Sequence, residues 1–151
     1  MARKIKTVEI EAEGRDKGKV FVLTEMPASR SEEWAVRVFQ GMARSKIDVS
    51  PELSRSGLAG IAVLGLHALA GLSFDDLKPL MAEMFACIQI RPNPREPKVV
   101  RDLIEDDIEE VKTRLKLRDE VFELHTGFSL AGAASLSALA PAEPAAEQPS
   151  T

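Results

Sequence analysis

Residues 13–33, EGRDKGKVFVLTEMPASRSEE, constrain the fold most, because three structural events follow one another within them. The polar run Gly14-Arg15-Asp16-Lys17-Gly18-Lys19 separates two stretches of strand-like alternation, 7–12 and 20–24. Its two glycines can adopt positive φ, as a tight hairpin connection requires. Met26-Pro27-Ala28 ends the second strand, since proline donates no ladder hydrogen bond and restricts the residue before it. Ser29 followed by Glu32 spells a capping box, which predicts a helix over about 29–43. The head of the chain therefore reads strand, turn, strand, helix.

The same run excludes a phosphate-binding loop. That motif needs four residues between its glycines and a hydroxyl after the lysine, with a helix following. Here three residues separate Gly14 from Gly18, Val20 stands at the hydroxyl position, and a strand follows. A strand cannot offer the helical N–H groups that cradle phosphate. The run is a charged hairpin tip.

At 151 residues the chain is sized for one domain, and its net charge of −4 argues against a dedicated nucleic-acid binder. Arg3, Lys4, Lys6, Arg15, Lys17 and Lys19 cluster in the hairpin, where they read as protection of an exposed strand edge. Cys87 is the only cysteine, so neither an intramolecular disulfide nor a thiolate cluster forms. Its apolar neighbours predict a raised thiol pKa and an inert, structural side chain. The amino terminus carries no signal-peptide pattern, and the expected location is the cytoplasm.

Further along, Trp34, Ala35, Val38, Phe39 and Met42 share one helical face, with Trp34 as a core anchor. Residues 57–72 are almost wholly apolar, His67 being the only polar side chain. This stretch is too short and too broken by glycine for a membrane span, which needs about 20 apolar residues. It reads as one buried helix, either central to the monomer or covered on one face by another subunit or a client. Gly60 and Gly65 would allow close approach. Ser73 with Asp76 caps a further helix whose buried stripe is Phe74, Leu77, Leu80, Met81, Met84, Phe85 and Ile88, and Pro79 should kink or divide it.

Three prolines in 92–97 impose an extended connector. Residues 102–125 then carry a helical pattern: Ile104, Ile108, Val111 and Leu115, continued on a shifted face by Leu117, Val121, Leu124 and Phe128. The acidic block Glu105, Asp106, Asp107, Glu109 and Glu110 reads as a solvated face rather than a calcium loop, with a Glu110–Arg114 pair. Gly127 suits a left-handed carboxyl cap. From Ser129 the composition turns to alanine, serine and proline, which predicts disorder over 129–151.

These elements define an α+β domain over 1–128, mainly helical: a hairpin at about 5–25 packed on four to five helices from about 29. A short extra strand fits 87–91 or 98–100; a large sheet does not. His67 reads as a buried histidine with a backbone partner and His125 as a helix-end cap. Neither lies in a catalytic motif, and no catalytic, cofactor-binding or metal-binding residue is expected. The candidate protein-interaction surface is Leu58, Ile61, Leu64, Leu66, Leu69, Met81, Met84 and Phe85, through which the chain would bind a client or form a homo-oligomer.

Four stretches also carry a family likeness: GRDKGK at 14–19, FVLTEMPA at 21–28, SFDDLKPL at 73–80, and LIEDDI at 103–108 leading to LHTGF at 124–128. Together they make the chain resemble the small tail assembly chaperones of long-tailed bacteriophages and prophages. The resemblance implies a non-catalytic protein of the host cytoplasm that coats the apolar tape measure protein, helps recruit major tail protein, and is absent from the mature virion. It implies no cofactor and neither nucleic acid nor membrane as partner. A tail completion or connector protein is the main rival reading. A small DNA-binding regulator is a weaker one, because the only helix with clustered basic residues also carries the acidic block.

Overall fold

The structure, a computed structural model, describes residues 2–127. The predicted hairpin forms β1 (Ile5–Glu9) and β2 (Val20–Thr24), antiparallel, with Val8 opposite Phe21. β2 also pairs with β3 (Ile88–Arg91), Phe21 opposite Ile90, and β3 pairs with the two-residue β4 (Arg101–Asp102). The result is one four-stranded antiparallel sheet in the order β1-β2-β3-β4. β3 lies within the predicted 87–91 stretch, whereas β4 begins just after the predicted 98–100 position.

Cross-strand partners share a face. One face, with Val8, Ile10, Phe21, Leu23, Ile88 and Ile90, forms a continuous core with the helices. α1 (Ala28–Arg44) adds Trp34, Ala35, Val38, Phe39 and Met42, the predicted stripe. Trp34 is buried and its indole N–H donates to the Leu80 carbonyl at 3.0 Å, so its polar end is satisfied where it anchors the core. The capping box expected at Ser29 does not form. α1 opens one residue earlier, with Pro27 at the cap position and no side-chain cap bond, which puts Ser29 inside the first turn.

The 57–72 stretch is not one helix. A short α2 (Pro51–Arg55) precedes α3 (Leu58–Leu64), and Gly65, at φ +83°, turns the chain into a 3-10 turn over Leu66–Gly71. A side chain at Gly60 would strike the Leu53 carbonyl and crowd the Phe39 ring. α4 (Phe74–Phe85) opens on Ser73 as predicted, the hydroxyl accepting the Asp76 amide N–H at 3.2 Å. It runs unbroken through Pro79, contrary to the expected division, with the proline on the solvent side. Leu80 and Met84 are buried, whereas Phe74, assigned to the stripe by spacing, is 65% exposed.

The predicted 102–125 helix is shorter. β4 and a 3-10 turn (Glu105–Asp107) take its first part, and α5 (Val111–Thr126) begins nine residues late. Its core residues are Thr113, Leu117, Val121 and Phe122; of the residues at helical spacing, Ile104, Val111 and Leu115 stand open to solvent. Gly127 caps α5 in the left-handed conformation. Phe128 and the 129–151 tail lie outside the described residues.

Candidate functional site

The eight residues picked out as an interaction surface do not stay together. Ile61, Leu69 and Met84 are core residues, no more than 4% exposed, and cannot meet a partner without unfolding. Leu58 and Leu64 are half-buried against the core. Leu66 lies in the 3-10 turn; its side chain and that of His67 fall outside the described residues. Met81 and Phe85, one turn apart on α4, are half-buried and sit where α4 meets α5. Pattern alone cannot separate a core face from an interface face on such apolar segments, and α3 shows why: Ile61 is fully buried, and Val63, two residues on, is 74% exposed.

Two arginines complete the α4–α5 seam. The Arg114 guanidinium lies 4.1 Å from the centroid of the Phe85 ring, a cation–π distance, and Arg118 Nη1 lies 2.8 Å from Met81 Sδ. These contacts, 85 with 114 and 81 with 118, show that the two helices run antiparallel. Beside the arginines, Val111 and Leu115 form an exposed pair one turn apart on α5, 72% and 52% exposed. Of nine large hydrophobic side chains exposed in the described residues, five fall between Val99 and Leu115. The sequence placed Val111 and Leu115 on a helix correctly.

The acidic block is a second departure. Glu105, Asp106 and Glu109 are exposed, as a solvated face requires, but Asp107 is buried and Glu110 half-buried in ion pairs. Asp107 takes both Arg101 guanidinium nitrogens, at 2.7 and 2.8 Å, and its Oδ2 accepts the Ile104 amide N–H. The Arg101 hydrogen bonds hold the Asp107 carboxyl below the usual carboxylate range despite its burial. Glu110 faces Arg15 at 3.7 Å and Lys112 at 3.4 Å, not Arg114. Asp16, from the supposed hairpin tip, has no solvent exposure and accepts from Lys19 Nζ at 2.8 Å and from the amides of Glu109 and Glu110 at 3.0 Å. Nothing local in the sequence signals that docking, because its two halves lie 94 residues apart.

The basic hairpin side chains mostly meet carboxylates of this same chain. Lys6 pairs with Glu120, Lys17 with Glu13, and Lys19 with Asp16 and Glu109. Cys87 is buried, and burial pushes its thiol up to about 11, as its apolar neighbours predicted. His125 lies near the end of α5, where Nε2 accepts the Met26 amide N–H at 2.8 Å and Nδ1 faces the Val121 carbonyl at 2.8 Å. With both nitrogens on backbone groups, this histidine ties α5 to the segment after β2. Among the described residues, no group of three or more His, Cys, Asp or Glu could hold a metal ion, and no helix is long and apolar enough to cross a membrane.

Comparison with family models, with curated proteins and with solved structures found no match to this chain.

Proposed function

We propose that this chain is a non-catalytic tail assembly chaperone of a long-tailed phage or prophage, binding the tape measure protein and helping recruit major tail protein around it. It acts in the host cytoplasm and leaves before the virion matures. A helical client of this kind exposes apolar area that needs temporary cover, and its chaperone must carry open apolar surface on a fold that stays intact without it. The supporting observation is a set of separate exposed apolar side chains, Val99, Val100, Ile104, Val111 and Leu115, together with Val63, all outside the packed core.

The test is co-expression of the full chain with fragments of the tape measure protein encoded nearby, followed by co-purification. The wild type should co-elute with at least one fragment. Val63→Glu should weaken capture with its melting curve intact, whereas Ile61→Glu should cost several kcal/mol and unfold the chain. Failure of the wild type to retain any fragment overturns the proposal. Finding the chain in purified virions would favour the connector reading instead.

A further inference from the structure

We infer that the α4–α5 seam is the docking groove for an acidic amphipathic helix. The inference rests on the chaperone reading only for the identity of the client; the groove and its chemistry stand on geometry.

The groove has an apolar floor and a cationic border. Met81 and Phe85 on α4 are half-buried beneath Arg118 and Arg114, and Val111 and Leu115 are exposed on the α5 face that carries those arginines. Two antiparallel helices leave a furrow into which the ridge of a third helix fits. From Val111 to Arg118 the seam spans roughly 10 Å at about 1.5 Å per residue, about two turns of a bound helix. Such a partner would place apolar anchors at i, i+3 or i+4, and i+7.

Charge selects among amphipathic helices. The described contacts of Arg114 and Arg118 are an aromatic ring and a thioether, neither of which neutralises a guanidinium. Two glutamates of the adjoining stretch are engaged elsewhere: Glu110 faces Arg15 and Lys112, and Glu120 faces Lys6 and Lys116. A cation–π contact also leaves the N–H donors of the guanidinium free for a forked bond to a carboxylate. Two positive groups therefore border an apolar furrow on a protein whose net charge is −4. A partner helix with Asp or Glu flanking its apolar stripe completes this arrangement; one flanked by Lys opposes it.

The experiment uses the purified full chain and three labelled synthetic peptides. One is a helix with leucines at i, i+3, i+4 and i+7 flanked by Glu; the second carries Lys in place of Glu; the third is a scrambled acidic peptide. In fluorescence anisotropy the Glu helix should bind roughly tenfold or more tighter than the other two, with an advantage that shrinks as salt rises. Arg114→Glu with Arg118→Glu should reverse the preference between Glu and Lys helices. Leu115→Glu should abolish binding of both while keeping the wild-type melting temperature, and the charge-reversed variant, which loses its contacts with Phe85 and Met81, should still melt cooperatively. Absence of binding, equal binding of the three peptides, or indifference to the charge reversal overturns the inference. So does a concentration-dependent dimer that Leu115→Glu dissociates, since a second copy would then occupy the seam. If tape measure fragments co-purify equally with wild type and the charge-reversed variant, the chaperone function stands and the seam fails. If the Glu helix binds as described and no tape measure fragment does, the seam stands and the function fails.

Discussion

Asp16 closes the amino end of α5 from across the fold, its Oδ2 accepting the Glu110 amide N–H at 3.0 Å. The opening amides of a helix have no partner within it, and an aspartate beside them stabilises both the N–H groups and the helix dipole. Here the carboxylate comes from a distant loop and holds the chain at the N-cap residue Glu110 and at Glu109 before it, with Lys19 Nζ sharing it. Burial alone would raise the Asp16 pKa. The hydrogen bonds from Lys19 and from the Glu109 and Glu110 amides outweigh it and hold the group well below the usual carboxylate range.

A depressed folded-state pKa gives stability that is complete above the unfolded value, about 4, and is lost as pH falls toward the folded value. Asp16→Asn should therefore cost about 1–3 kcal/mol near neutral pH, and Asp16→Ala more, since it strands two amides and a lysine. Urea unfolding at about pH 7 and about pH 3 checks the sign: the gap between wild type and Asp16→Asn should narrow by about 1 kcal/mol at the lower pH. A constant gap would mean that the carboxylate charge contributes nothing.

Gly14 is the second constraint on that docking. Its φ is +143°, and a Cβ there would overlap the Glu110 carboxylate, which leaves two separate objections to any side chain. Gly14→Ala should destabilise by about 1–3 kcal/mol. Adding Glu110→Ala should recover the steric part and leave the backbone part, so the double mutant should be more stable than the sum of the single changes predicts. Strict additivity would place the whole cost in the backbone.

What could be read from the sequence was what nearest neighbours decide. The α+β class, the hairpin, the α1 stripe around Trp34, the inert Cys87 and the Gly127 cap all depend on residues within a turn or two of one another. The late start of α5 does not. Ile104, Ile108, Val111 and Leu115 keep helical spacing, yet Arg101 draws Asp107 into a turn and Asp16 fixes the first turn at Glu110. Asp16, 94 residues from Glu110, is invisible to a local window, and Arg101, six residues from Asp107, meets it only because the chain between them leaves the helix. Burial along α4 was half-legible for a related reason: Met81 and Met84 look alike by composition, and only the approach of α5 leaves one at a seam and the other in the core.

Two serines with the same local signature make that limit measurable. Ser29 and Ser73 each precede an acidic residue at the third position, and each spells a capping box. Ser73 caps α4: its hydroxyl accepts the Asp76 amide N–H and lies 3.0 Å from the Asp76 carboxylate, which Arg44 also holds at 2.6 Å. Ser29 is already inside α1, exposed, because Pro27 fixes an extended entry and its carbonyl takes the Ser31 amide N–H at 3.0 Å. Ser73→Ala should therefore cost about 1 kcal/mol, and Ser29→Ala should stay within about 0.5 kcal/mol, even gaining slightly from the better helix propensity of alanine. Chemical denaturation of the two single mutants side by side decides it. Equal losses would show that α1 in solution begins at Ser29 and that the cap read from the sequence is the real one.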